Sequence, residues 1–458
     1  MSYEQFVSRK LGIVESVGID APMRDYGLFP LQKMLTPWAL RRGRAAIFAD
    51  TGLGKSRMQL AWADTVHAET GLDVLILAPL AVAQQTVEEG ARIGVSVNHA
   101  READQIRPGL NITNYDRVHK FDASRFGAIV LDESSIIKHH AAKTLQTLLE
   151  MFRSTPYRLA CTATPSPNDW TELGNHAEFL GVCSRAEMLA EFFVHDGGDT
   201  QTWRLKGHAR KLFWAWVASW GAMVRSPEDL GLDASAYKLP PLNVHQHTVE
   251  IAHNPDHGLF ALEAQTLSER RGARKESLVD RVRACAEIVN ASSDTWLVWC
   301  DLNAEGDALE SAIPGSVQVA GCDTEEFKER TLLDFAHGKL RVLISKPSIC
   351  GFGLNFQAAT NQAFVGVTDS FEAYYQAVRR SWRFGQKSEV NVHVFASNQE
   401  GAVVANLRRK EAIANAMADA MAAETLEAVL SQVIGAKKNT NIYQPSRQIV
   451  LPSFLGVA

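Results

Sequence analysis

Asp50-Thr51-Gly52-Leu53-Gly54-Lys55-Ser56 follows the apolar run Ala45-Ala46-Ile47-Phe48-Ala49 and precedes a helical stretch from Arg57 to Ala68. A glycine-rich turn between a buried strand and a helix presents backbone N–H groups to an anion. The helix N-terminus favours negative charge, and Lys55 adds a mobile cation. Thr51, Gly52, Leu53, Gly54, Lys55 and Ser56 are therefore the candidate phosphate-binding residues, and the Ser56 hydroxyl is a candidate ligand for a Mg²⁺ that bridges terminal phosphates. The first glycine of the general pattern is replaced here by Ala49.

A magnesium nucleotide on such a loop needs a carboxylate for the metal and a group to orient the attacking water. Ile129-Val130-Leu131-Asp132-Glu133-Ser134-Ser135 provides both just past an apolar strand: Asp132 for the metal shell and Glu133 for the water. Side chains alternate along a strand but can converge where it turns into a loop. Alone, an acidic pair in this position is more often a helix cap; behind a phosphate loop the catalytic reading takes over.

Outward from these motifs, short apolar runs alternate with amphipathic stretches, as in a parallel sheet flanked by helices. Ala45–Ala49, Val74–Ala78, Ala128–Leu131 and Arg158–Cys161 read as buried strands, and each leads into a segment rich in candidate chemistry. The rhythm breaks between about 185 and 250, where Phe192, Phe193, Trp203, Phe213, Trp214, Trp216 and Trp220 mix with charges and the stretch closes on Leu239-Pro240-Pro241-Leu242. These aromatics read as packed core rather than as base-stacking platforms. A second alternating section holds Trp296–Trp299, Arg341–Ile344, Ala363–Val365 and Val390–Phe395. The expectation is an α/β fold with two P-loop-type lobes. The boundaries are an N-terminal extension (1–27), a first lobe (28–184), a mostly helical insertion and linker (185–274), a second lobe (275–435) and a tail (436–458).

The 458 residues, 46% hydrophobic and 22% charged, suit a globular protein of more than one domain. No run approaches the roughly 20 apolar residues of a membrane span, and the first residues lack the apolar core of a secretory signal, so a cytoplasmic setting and no membrane partner are expected. The six cysteines are scattered and read as reduced thiols. A net charge of −5 does not resemble a small basic DNA-binding module, but a large protein needs only a basic groove to bind nucleic acid.

The ordered series Pro30-Leu31-Gln32, the phosphate loop, Ala78-Pro79-Leu80, Thr113-Asn114-Tyr115, Asp132-Glu133-Ser134-Ser135 and Thr162-Ala163-Thr164-Pro165 resembles the first lobe of superfamily-two helicases, especially the Swi/Snf-like, DEAD/DEAH-box-like ATPases. Gly351-Phe352-Gly353-Leu354-Asn355 and the stretch from Gln376 to Gln386 are similar to that family's last two motifs. The resemblance covers roughly residues 28 to 396. It implies two tandem RecA-like lobes with ATP and Mg²⁺ between them. It also implies that Gln32 reads the adenine edge, that Gly353 lies near the nucleotide, and that Thr162 and Thr164 couple nucleotide state to lobe movement.

Arg380 and Arg383, three apart on a predicted helix, share a face and are candidate arginine fingers across the cleft. Arg379 stands where the family commonly has glycine, which leaves open which arginines reach the nucleotide. Lys138 matches a basic position of the Swi/Snf-like pattern, and Val224-Arg225-Ser226-Pro227 looks like its arginine-containing passage between lobes. The basic run Arg270-Arg271-Gly272-Ala273-Arg274-Lys275 reads equally as a phosphate-contacting or a solvated segment.

The expected function is an ATP-dependent motor on nucleic acid, double-stranded DNA by resemblance, translocating rather than separating strands. A compact chain of this kind fits a bacterial or phage setting with replication, recombination or nuclease partners. The alternatives are a P-loop ATPase or kinase acting on a small molecule or protein, and a nucleic-acid-binding scaffold that has lost hydrolysis.

Overall fold

The computed structural model describes residues 16–79, 82–138, 143–166, 169–196, 199–250, 272, 275–350, 355–366, 371–397 and isolated positions between 409 and 430. Two parallel sheets organise the chain. The first contains β1 (Arg44–Ala49), β2 (Asp73–Ala78), β3 (Val97–His99), β4 (Leu110–Asn114), β5 (Phe126–Asp132) and β6 (Tyr157–Thr162). A hairpin of β7 (Phe193–Asp196) and β8 (Asp199–Leu205) follows, and β9 (Gly221–Val224) then completes the first sheet in the order β3-β4-β2-β5-β6-β1-β9. The second sheet comprises β10 (Leu242–Val249), β11 (Trp296–Trp299), β12 (Ser316–Val319), β13 (Val342–Ser345), β14 (Asn361–Phe364) and β15 (Val390–Ser397), in the order β10-β15-β14-β11-β13-β12.

The central strands are apolar at almost every position because both faces of each sheet are covered. One hydrophobic cluster lies on either side of the first sheet and one on either side of the second. The helices used below are α1 (Pro30–Arg42), α2 (Lys55–Thr70), α3 (Arg210–Trp220), α4 (Leu278–Asn290), α5 (Glu325–Ala336) and α6 (Phe371–Val378).

Two strands revise the expected reading of 185–274 as a mostly helical insertion. Helix α3 is present and Trp214, Trp216 and Trp220 are buried in the first lobe's core, as packed core predicts. The residues immediately after it, however, pair as β9 with β1, and β10 pairs with β15 along its full length. The described part of this segment thus adds an edge strand to each sheet. Four apolar residues, Gly221-Ala222-Met223-Val224, carry no local sign of a partner so distant in sequence. A second revision concerns residues beyond 409, expected in the second lobe. Val429 is buried in the first sheet's core with Leu430 packed against it, and Arg225 pairs with Asp419.

Candidate active site between the lobes

The phosphate loop joins the end of β1 to the start of α2, at the carboxyl edge of the sheet where α/β folds place ligands. Gly52 and Gly54 have φ of 91° and 83°, a region open to glycine and strained for other residues. Close packing fixes them as well: a Cβ on Gly54 would lie 2.1 Å from the Gln32 amide nitrogen, and one on Gly52 would meet Phe384 at 3.0 Å. Leu53 sends its side chain into the core beneath the loop, and its carbonyl accepts from Gln32 Nε2 at 3.1 Å. Gln32, the third residue of α1, also accepts from the Phe29 backbone N–H at 3.0 Å, so its amide braces the loop against the helix entry.

Lys55 folds back, its ammonium donating to the Ala49 carbonyl at 2.8 Å and to the Asp50 carbonyl at 3.3 Å. Burial lowers its pKa, against the attraction of Glu133, Asp50 and Asp132. Asp132 closes β5. Burial raises its pKa and Glu133 adds to this, while a hydrogen bond from Gln59 Nε2 to Oδ1 (2.8 Å) and the Lys55 charge oppose it. Gln59 is absent from the sequence-based site, although its place one helical turn after Lys55 on α2 puts it on the same face.

Convergence of the acidic pair depends on one backbone feature. Glu133 adopts φ 57° and ψ 57°, the left-handed conformation, and is the non-glycine residue with positive φ among the described residues. This turn brings the Glu133 carboxylate back beside Asp132, and such a conformation costs about 1–3 kcal/mol unless its surroundings hold it. Thr162 Oγ1 and Ser135 Oγ both donate to Glu133 Oε1, at 2.6 and 2.9 Å.

From the second lobe, Arg380 and Arg383 face the same cleft, but not from a helix as expected. α6 ends at Val378, whose carbonyl accepts from Gln362 Nε2 at 3.0 Å, and the arginines lie in the turns beyond it. These turns are held by Phe356 N donating to the Arg380 carbonyl (2.9 Å) and by Trp382 Nε1 donating to the Pro240 carbonyl (2.7 Å). Arg380 donates to the backbone oxygen and side-chain oxygen of Gln376, at 2.9 and 3.0 Å. Burial and the neighbouring Arg383 push its pKa down to about 9, leaving it charged at neutral pH. Burial also lowers Arg383.

Gln376 Nε2 in turn reaches Thr164 Oγ1 at 3.5 Å, and the Thr164 N–H donates to Thr162 Oγ1 at 3.1 Å. A hydrogen-bonded chain therefore runs Glu133–Thr162–Thr164–Gln376–Arg380 from one lobe to the other.

These groups line a cavity of about 490 Å³. Thr51, Gly52, Gly54, Lys55, Ser56, Asp132 and Glu133 come from the first lobe, and Asn355, Gln357, Arg380 and Arg383 from the second. Gln32 lies at one end with Phe29, Tyr237 and Phe384, whose ring centroids are 5.1–5.8 Å apart. The three rings come from separate elements, so no local pattern shows them together.

Gly353, with Gly351, Phe352 and Leu354, lies outside the described residues, as do Leu80, Arg270, Arg271, Arg274 and the tail from 436. The Lys138 backbone carbonyl accepts from Asn175 Nδ2 at 2.6 Å.

In its fold the chain is similar to a SWI2/SNF2 ATPase core. That structure is the Sulfolobus solfataricus SWI2/SNF2 ATPase core in complex with dsDNA, with a TM-score of 0.41, 17% sequence identity, and coverage of 92% of this chain and 98% of that one. In sequence the chain is similar to "Putative protein p41" of Acyrthosiphon pisum secondary endosymbiont phage 1, 24% identical over 422 residues, covering 78% of this chain and 89% of the phage protein. No protein-family model matches. No helix among the described residues is long and apolar enough to cross a membrane.

Proposed function

We propose that the chain is an ATP hydrolase of the Swi/Snf-like kind that couples hydrolysis in the interlobe cleft to movement along nucleic acid, double-stranded DNA in particular. One observation carries the reading: a phosphate loop and two acids from the first lobe share a single cleft with the buried Arg380 and the half-buried Arg383 of the second. A P-loop enzyme confined to one lobe has no use for Arg380 and Arg383.

In this reading Lys55 leaves the Ala49 carbonyl for the phosphates, a short movement within the same loop. Gln32, bracing Leu53, sits where a base edge would lie, beside Phe29. Glu133 is aimed by Thr162 and Ser135 and orients the attacking water. Arg380 and Arg383 offset charge that develops on the transferred phosphoryl group, an effect worth about 10³ to 10⁵ in rate for such groups.

The residues present fit Mg²⁺. The Ser56 hydroxyl and the Asp132 carboxylate are hard oxygen donors, and Gln59 Oε1, buried beside Asp132, has no hydrogen-bond partner among the described residues and can accept from a metal-bound water. Bound there, Mg²⁺ supplies charge neutralisation between the terminal phosphates. The Glu133–Thr162–Thr164–Gln376–Arg380 chain gives the γ-phosphate site a direct line to the second lobe. We assign residues up to about 238 and those near 429 to the first lobe, and 242–397 to the second.

The deciding assay is ATP hydrolysis with and without single- and double-stranded DNA or RNA. Wild type should be stimulated by duplex DNA and require Mg²⁺. Lys55→Ala and Glu133→Gln should each lower turnover by at least about 10³-fold. Retained turnover without polymer stimulation would overturn the motor reading in favour of another P-loop ATPase, and nucleic-acid binding without any turnover would favour a scaffold.

A further inference from the structure

Resting on the nucleotide reading of the cleft, we propose that Asp50, Tyr375 and Arg379 form an interlobe latch, in which Arg379 is a positioning residue that neutralises and holds the phosphate loop. Asp50 opens the loop, and its Oδ1 accepts from the Thr51 N–H at 2.6 Å. That same oxygen accepts from the Tyr375 hydroxyl of α6 at 3.0 Å, and Oδ2 accepts from Arg379 Nη2 at 3.5 Å. The second lobe thus grips the first residue of the loop with a neutral and a charged donor at once.

The grip is built rather than incidental. The Arg379 guanidinium lies 4.6 Å from the Trp382 ring centre and 5.2 Å from that of Tyr375, so aromatic contacts on both neighbours hold it while it faces Asp50. The side chains of Arg379 and Asp50 are only 13% and 20% exposed, so solvent screens the pair less than a surface pair. The pair also lines a second cavity of about 510 Å³, which shares Thr51, Gly52, Tyr237 and Phe384 with the first but is not lined by Lys55 or Arg380. Arg379 is therefore not a third finger on the reacting phosphate. It occupies the position where a Swi/Snf-like sequence commonly has glycine, and there it reaches an acid in the phosphate loop.

The physical consequence concerns affinity. A carboxylate in a phosphate-binding loop repels the ligand unless a cation offsets it. Here the offsetting cation belongs to the other lobe, so the loop is well disposed to nucleotide only while the lobes are together.

Two measurements test this on the full chain. Hydrogen exchange of a peptide spanning residues 50–56 in nucleotide-free protein should accelerate about five- to tenfold in Arg379→Ala and stay near wild type in Arg379→Lys. Binding of a fluorescent ADP should weaken about tenfold in Arg379→Ala, with KM for ATP rising in step and kcat changing little. Adding Asp50→Asn to Arg379→Ala should restore most of the affinity, because the uncompensated charge is gone.

Wild-type exchange at the loop in Arg379→Ala, or effects of Asp50→Asn and Arg379→Ala that simply multiply, would overturn the latch. If wild type binds no nucleotide while Arg379→Ala still loosens the loop, the nucleotide reading fails and the latch stands. If wild type hydrolyses ATP and the variants match it, the latch alone fails.

Discussion

His176, which no motif singles out, sits directly behind the acidic pair Asp132-Glu133. Its Nε2 lies 3.1 Å from Ser134 Oγ and its ring meets Phe48 edge-on at 5.2 Å. Burial pushes its pKa down to about 4. In the unfolded chain the imidazole takes up a proton below about pH 6.5. Between these values the unfolded state binds a proton that the folded state refuses, so stability rises with pH across the window and is lost as pH falls from about 6.5 to 4. Thermal melts should show this slope, and His176→Gln should flatten it by up to about 1.4 kcal/mol per pH unit. A slope that His176→Gln leaves unchanged would assign the acid sensitivity elsewhere. Lys55, Asp132 and Glu133 were legible at this scale because the phosphate loop and acidic pair are contiguous in sequence. Gln59, Tyr375 and His176 were not, since each acquires its place only from packing.

Among the elements, the second lobe depends on a fully buried ion pair. Arg281 of α4 donates through Nη2 to Glu305 at 2.8 Å, through Nε to Ser277 Oγ at 2.8 Å, and to the Val365 carbonyl. Glu305 Oε2 accepts from the backbone N–H groups of Asp301 and Leu302, at 2.8 and 3.0 Å. The pair thereby ties the chain leaving β11 to the chain leaving β14. Gly366 has no room for a Cβ, which would stand 2.3 Å from Glu305.

Removing one partner strands a buried charge, so Glu305→Ala should cost about 3–5 kcal/mol in urea unfolding of this lobe, whereas Arg281→Met with Glu305→Leu should be close to neutral. Equal losses for both variants would mean that packing, not charge, governs the site. The strands that frame this pair, β11, β13, β14 and β15, were legible as apolar runs. The arginine turn was not. A helical spacing of three also fits two successive turns, and only the folded backbone, in which Arg380 N bonds the Ala377 carbonyl and Arg383 N the Ser381 carbonyl, shows that the regular helix has ended.

For the whole molecule, a second electrostatic contact joins the lobes away from the cleft. Arg101 meets Glu326 at 3.5 Å and also pairs with Glu329, Arg117 pairs with Glu325, and all three acids lie on α5. Arg101–Glu326 is exposed and the other two pairs are half-buried; exposed pairs contribute only about 0.2–1 kcal/mol each, and all three open to solvent on one side and so weaken with salt. Small-angle scattering should therefore show wild type expanding as salt rises toward about 1 M, while Glu325→Gln with Glu326→Gln and Glu329→Gln is already expanded at low salt. A radius of gyration that neither salt nor the triple variant moves would show that the aromatic and latch contacts suffice. Such pairings were beyond reach of the sequence, which lists charges without saying which surfaces meet.

The chain passes from the first lobe to the second between β9 and β10, and by Val429 it is back in the first lobe's core. A body tethered at one point swivels in every direction. Tethered at two, it keeps one easy rotation, about the line through both attachments. The second lobe is thus held to the first at two places along the chain, and a rotation that carried Arg380 away from the phosphate loop would turn about the line through both.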